Sequence, residues 1–199
     1  VVAQEGGIEL RMWLSEARAD ALERRRRFMA GPVGCGLCGI DSLAEALRPL
    51  PPLAAAGPVL TSVEVERAVA AIRDWQPLHD LTGAVHAAAF WRPGDGIVAA
   101  REDVGRHNAL DKLVGALALE GGDASAGAVV LTSRVSVEMV QKSVLAGATV
   151  VIAVSAPTVH AVRLAEGAGM TLVALARSDG YTVFTGPHRI GMGGCSDVA

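Results

Sequence analysis

The chain is 199 residues long, 51% hydrophobic, 20% charged and 4% aromatic, with 18 basic residues against 21 acidic ones and a pI near 6.0. That balance excludes a general nucleic-acid coat, and so few aromatics exclude a base-stacking surface. Three cysteines, two of them only three positions apart, exclude a disulfide framework, while the length suffices for one cored domain with a small satellite.

Residues 10–29 carry apolar side chains in an imperfect helical period, with Arg24 to Arg27 expected to close the helix at its negative end. A turn-forming loop follows, Gly31-Pro32-Val33-Gly34-Cys35-Gly36-Leu37-Cys38-Gly39, and then a Pro- and Ala-rich linker from Arg48 to Pro58. This gives an N-terminal helix and loop region, 1–58, ahead of an α/β domain, 59–199. A helix is expected over Val63 to Trp75, and a hairpin from Ala84–Trp91 to Ile97–Arg101 around Arg92-Pro93-Gly94-Asp95-Gly96. Helix Asn108–Leu119 comes next. Short apolar strands then alternate with helices: strand 128–132, helix 135–145, strand 149–155, helix 158–166, strand 171–176 and a last strand 181–185. Such alternation implies right-handed crossovers and a parallel section of sheet. Helices following parallel strands point their N termini into a common crevice, a rim suited to phosphates.

Glu5 and Glu9 interrupt any signal-peptide pattern, and runs such as Ala148 to Ala156 are too short to span a bilayer, so a cytoplasmic protein is expected.

Three segments carry the chemistry. Cys35 and Cys38 form a C-x-x-C in a glycine-rich loop, with arginines nearby in sequence to favour the thiolate. The pair fits a persulfide carrier, a dithiol redox couple, half of a zinc site, or two cysteines packed in a loop. Zinc lacks partners at suitable spacing, since there is neither a second C-x-x-C nor an H-x₃₋₅-H. The second segment, Arg101-Glu102-Asp103-Val104-Gly105-Arg106-His107-Asn108-Ala109-Leu110-Asp111-Lys112, reads either as a charged loop and capped helix or as a pocket rim. In the rim reading Arg106 and Lys112 receive anions and His107 moves protons. In the third, Thr132 to Met139, Ser133 is an expected N-cap, and Arg134 at a helix start invites an anion.

These segments closely resemble one family, the formate dehydrogenase accessory sulfurtransferases or FdhD proteins. The resemblance rests on Cys35-Gly36-Leu37-Cys38-Gly39, Thr82 to Ala88, Arg101 to Lys112, Thr132 to Lys142, Ser155-Ala156-Pro157-Thr158 and Thr171 to Arg177, in one order. It implies that a cysteine desulfurase delivers sulfur as a persulfide to Cys35, with Cys38 as accessory thiol. The sulfur then passes to a molybdenum cofactor, Mo-bis(molybdopterin guanine dinucleotide), for formate dehydrogenase. By the same resemblance Leu175, Ala176, Arg177, Ser178, Asp179 and Gly180 bind the cofactor; position along the chain adds Arg106, His107 and Arg134 as further contacts. It also implies a homodimer and a cytidine deaminase-like three-layer sandwich with a mixed, partly parallel sheet. A zinc deaminase needs H-x-E and P-C-x-x-C. His107-Asn108-Ala109 and Ser133-Arg134-Val135-Ser136 stand at the corresponding places without the glutamate or the cysteines, so no zinc is expected.

Overall fold

The computed structural model describes residues 1–4, 7–9, 11–23, 50–54 and 56–191. The chain divides into two compact units, Val1–Arg48 and Pro49–Ala199. In the first, strands β1 (Val2–Gln4) and β2 (Gly7–Glu9) pair antiparallel, and α1 spans Glu16–Glu23. The helix expected over 10–29 is thus preceded by a hairpin and begins six residues later. Arg24 to Arg27 and the loop bearing Cys35 and Cys38 lie outside the described residues, as does Cys195.

The second unit opens on the short strand β3 (Leu60–Thr61) and is built on alternation of side chains. Strand β4 (His86–Arg92) forms a hairpin with β5 (Gly96–Asp103) and pairs on its other side with β6 (Ala128–Leu131). Strands β7 (Val150–Ala153), β8 (Thr171–Arg177) and β9 (Gly180–Thr185) complete a six-stranded sheet of order β5-β4-β6-β7-β8-β9. The pairs β6/β7 and β7/β8 are parallel and the rest antiparallel. Because successive side chains point to opposite faces, each central strand supplies two cores. Ala88, Phe90, Val129, Leu131, Val151 and Leu172 share one; Ala87, Ala89, Trp91, Val130, Ile152 and Val173 share the other.

Helices α4 (Arg106–Leu119), α5 (Val137–Leu145) and α6 (Val159–Gly167) supply Leu110, Leu113, Met139, Val140 and Ala161 to the first core. Helix α2 (Ser62–Ala71) covers the second with Val65 and Ala68, followed by Ile72 of a 3₁₀ turn. Its start is a reciprocal cap: Thr61 Oγ1 accepts from Glu64 N–H at 3.2 Å, and Glu64 Oε2 accepts from Thr61 N–H at 2.9 Å. The result is the three-layer α/β sandwich with a mixed sheet that the strand–helix alternation implies.

Two details set up the site. The short helix α3 (Pro77–Thr82), unforeseen in the sequence, has proline at its first position and ends on Gly83 at φ 63°. Six residues form no stable helix alone, so α3 depends on its surroundings. At the other end of β6, a Cβ on Gly127 would lie 2.2 Å from the Trp91 carbonyl oxygen, so this close approach of backbone requires glycine.

Candidate functional site

Strands β6, β7 and β8 end along one edge of the sheet, where β4 begins. Thr132, Val154 and Ala176 follow or finish these strands, and with His86 they line a cavity of about 580 Å³ on the α2 face. Val69, Ile72, Arg73 and Gln76 close it from α2 and its 3₁₀ extension; His79 and Val85 close it from α3 and the following loop. A cleft at the carboxyl ends of parallel strands is where an open α/β sheet offers a ligand site. The loops behind it are cross-braced. Val135 N–H donates to Ala156 O at 3.2 Å and Thr158 N–H to Val135 O at 3.0 Å, tying the β6–α5 junction to the β7–α6 junction. Thr132 Oγ1 accepts from Ala87 N–H at 2.9 Å, fixing the edge of β4.

The charged segment 101–112 proves to be mostly architecture. Glu102 extends from β5 to the N terminus of α3, where its two carboxylate oxygens accept from Leu78 N–H and His79 N–H, both at 2.8 Å. This single side chain supplies the anion that a helix start favours, and it holds a wall of the cavity in place. Asp103 accepts from Gly105 N–H at 2.9 Å and Asn108 Nδ2 at 3.2 Å and pairs with Lys112 Nζ at 2.6 Å. Lys112, then the Gly105 N–H, hold its carboxyl below the usual carboxylate range. Lys112 also donates to Glu102 O at 3.0 Å, so it is engaged locally rather than offered to an incoming anion. Asp111 joins Lys142 at 2.6 Å, linking α4 to α5. No side chain caps α4: Gly105 is its N-cap, and Asn108 turns back to Asp103.

His107 lies in the first turn of α4 with both ring nitrogens occupied. Nδ1 is 2.9 Å from Glu138 Oε2 and Nε2 is 3.4 Å from Ser136 Oγ. Glu138 and Ser136 are 4% and 5% exposed. Buried carboxylate, ring and hydroxyl therefore bolt the starts of α4 and α5 together. Ser136, not Ser133, holds the N-cap position of α5, and its hydroxyl serves His107 rather than the helix. Ser133 Oγ donates to the Arg134 carbonyl at 3.1 Å. Of the residues at 107–109 and 133–136, His107 and Ser136 thus meet across the two helix starts. Among the described residues no group of three or more His, Cys, Asp or Glu is arranged to hold a metal, and no helix is long and apolar enough to cross a membrane.

The segment 175–180 spans the end of β8 and the turn into β9. Ala176 is buried and Arg177 exposed, and both line the cavity; Ser178, Asp179 and Gly180 form the exposed to half-buried hairpin beyond them. Leu175 adopts φ 54°, a left-handed conformation rare for a leucine, where the β8/β9 register slips. Its N–H donates to Ser155 O at 3.3 Å, and its side chain is 39% exposed. Such strain persists only where surrounding structure enforces it, and it concentrates at functional sites. Here it re-aims the chain so that Ala176 and Arg177 meet the cavity.

Arg106 and Arg134 do not line the cavity, but their charges reach His86, which does. Burial first, then Arg106, Arg134 and His79, push the His86 imidazolium pKa down, so the ring is held neutral. The edge is thus electropositive, and of the three arginines Arg177 lines the cavity itself. His79 Nδ1 lies 3.1 Å from Val85 O. A carbonyl only accepts, so Nδ1 is the donor in this contact. Of the residues lining this cavity, His86 falls within Thr82 to Ala88, one of the segments that carry the family resemblance. Gln76 and His79 had no signal beyond Gln-Pro before a short helix.

Comparison with known proteins agrees with this fold. The family model described as FdhD/NarQ matches residues 2–191. A sulfur carrier protein FdhD of Agrobacterium fabrum is 50% identical over 190 residues, covering 96% of this chain and 70% of the relative. One of Brucella abortus is 54% identical over 190 residues, covering 96% and 71%. Among solved structures, a protein from Desulfotalea psychrophila assigned as a formate dehydrogenase accessory protein superposes with a TM-score of 0.66 at 33% identity. That match covers 73% of this chain and 61% of the other. The chain belongs to the FdhD/NarQ family.

Proposed function

We propose that this protein is a sulfur carrier for formate dehydrogenase maturation. It takes sulfur from a cysteine desulfurase and hands it to Mo-bis(molybdopterin guanine dinucleotide), which is its substrate. The observation that carries the cofactor half of this reading is the cavity at the strand ends, lined by Ala176, Arg177 and a His86 that the charges of Arg106 and Arg134 reach. Its volume of about 580 Å³ suits one nucleotide-sized arm rather than the whole dinucleotide pair. Arginines in its lining, Arg73 and Arg177, suit the cofactor's diphosphates. The sulfur half rests on family membership together with Cys35 and Cys38.

The chemistry balances with these two thiols. The Cys35 thiolate attacks the outer sulfur of the donor persulfide; the donor S–S bond breaks, the donor leaves as a thiolate, and Cys35 becomes a persulfide. The Cys38 thiolate then attacks the Cys35 sulfur. A Cys35–Cys38 disulfide forms, and the outer sulfur departs as hydrosulfide to the molybdenum. Two electrons pass from the thiol pair to that sulfur, and a dithiol reductant resets the disulfide. A cytoplasmic homodimer without bound zinc completes the proposal.

A thiol–disulfide oxidoreductase would use the same two cysteines, and intact mass separates the readings. Incubation with a desulfurase and cysteine should add one sulfur to the protein, and Cys35→Ala should abolish the gain. Loss of two hydrogens without added sulfur would overturn the carrier reading.

A further inference from the structure

His86 stands among positive charges. Two guanidinium groups line the cavity, Arg73 from the 3₁₀ turn after α2 and Arg177 from the end of β8. Two imidazoles, His79 and His86, line it as well, and among the described residues no aspartate or glutamate does. Arg106 of α4 and Arg134 of the β6–α5 junction add their charge at His86. The carboxylates on the surrounding elements are engaged elsewhere. Asp80 pairs with Arg73, and Glu102 holds the N–H groups of Leu78 and His79. Asp103, which stands opposite His86 in the β4/β5 register, is held by Lys112 and Gly105, and Glu138 pairs with His107. The His79 ring is set against Val85 O at 3.1 Å.

We infer that His86 is a proton-dependent ligand of this cavity: it takes up a proton as a diphosphate diester binds, and so becomes a third cationic contact beside Arg73 and Arg177. The reason is electrostatic. Uncompensated guanidinium charge and partial burial both disfavour the imidazolium, which is why the ligand-free ring stays neutral. A bound diphosphate offsets that charge and places an anion in the same cavity, so the imidazolium becomes the favoured form. The proton comes from solvent, at most one per site, and returns to solvent when the ligand leaves. No bond to the ring forms or breaks. The sign follows from linkage: affinity rises as pH falls through the ligand-bound value of His86 and levels off below the ligand-free one. The inference rests on the cofactor reading above, whose substrate carries diphosphate diesters. It adds the residue that ties capture and release of that substrate to protons.

Titration calorimetry on the full chain tests it, with GDP-mannose as the probe because a diphosphate diester has no ionisation of its own near neutral pH. Runs in buffers of different ionisation enthalpy count the protons exchanged. Near pH 6.5 the wild type should take up roughly half a proton or more per ligand bound. Its affinity should rise about 3- to 10-fold between pH 8 and pH 6. His86→Gln and His86→Asn should take up no proton and lose that pH dependence. Histidine-labelled NMR on the wild type assigns the proton without any substitution: the His86 ring signals should move to those of an imidazolium on saturation. Binding with no proton exchanged, uptake that survives in both variants, or ring signals that stay neutral overturn the role of His86 and leave the cofactor site standing. A wild type that binds no GDP-mannose at any of these pH values overturns both.

Discussion

Replacing Glu102 should loosen one wall of the cavity without disturbing the sheet. Its carboxylate accepts from the N–H groups of Leu78 and His79 at 2.8 Å each, and these bonds are the tertiary anchor of the six-residue α3. A hydrogen bond to a charged group contributes roughly 1.5–3 kcal/mol, and removal of a helix cap costs about 1 kcal/mol. Glu102 is half-buried, so water recovers part of the loss, and about 2 kcal/mol is expected for Glu102→Ala. Because α3 can open locally, the loss should appear first as exchange rather than as global unfolding. The amides of Asp80 and Gly83, which donate to Gln76 O and His79 O, should lose roughly 30-fold in hydrogen-exchange protection. Amides of β6 and β7 should keep theirs. Glu102→Gln retains one acceptor oxygen and should fall between the two. Wild-type protection at Asp80 and Gly83 in Glu102→Ala would refute the reasoning, since α3 would then be held by something other than this carboxylate.

Three further outcomes follow from the same geometry. Asp103 has a depressed pKa in the fold, so its contribution is present above the unfolded value near 4 and is lost as pH falls through the folded one. Denaturant midpoints of wild type and Asp103→Asn should therefore differ at pH 7 and converge as pH falls through the folded value. Gly127→Ala places a Cβ 2.2 Å from a backbone carbonyl that cannot move without disturbing β4, and should cost about 2 kcal/mol or more in denaturant unfolding. His107→Ala leaves Glu138 without its imidazole partner in a buried site and should destabilise by about 1–3 kcal/mol, with the Ser136→Ala effect smaller and non-additive with it.

The sheet was legible because its signal is periodic. Ala87 to Trp91 and the apolar runs at 128–131, 150–153 and 171–174 alternate between two cores, and the Pro-Gly-Asp-Gly turn marks the hairpin. The α3 helix was not, because six residues carry no measurable period and its stability comes from Glu102, more than 20 positions away. The same distance explains the charged segment 101–112. Spacing shows that charges cluster, but only the fold shows that Asp103 and Lys112 satisfy each other and that the charge of Arg106 reaches His86. Ser136 was hidden because a serine after a strand reads as a cap, and its true partner, His107, comes from another helix. Leu175 to Gly180 was reached through resemblance alone. What the fold adds is the strained Leu175 backbone that turns Ala176 and Arg177 toward the cavity.

The most direct test follows a sulfur atom. Protein loaded at Cys35 with radiolabelled sulfur by a cysteine desulfurase is freed of donor and mixed with Mo-bis(molybdopterin guanine dinucleotide) in a single turnover. The account predicts that label leaves the protein only when cofactor is present, appears on the cofactor, and leaves a Cys35–Cys38 disulfide behind. Label that stays on the protein, or that is released as free sulfide at the same rate without cofactor, would contradict it.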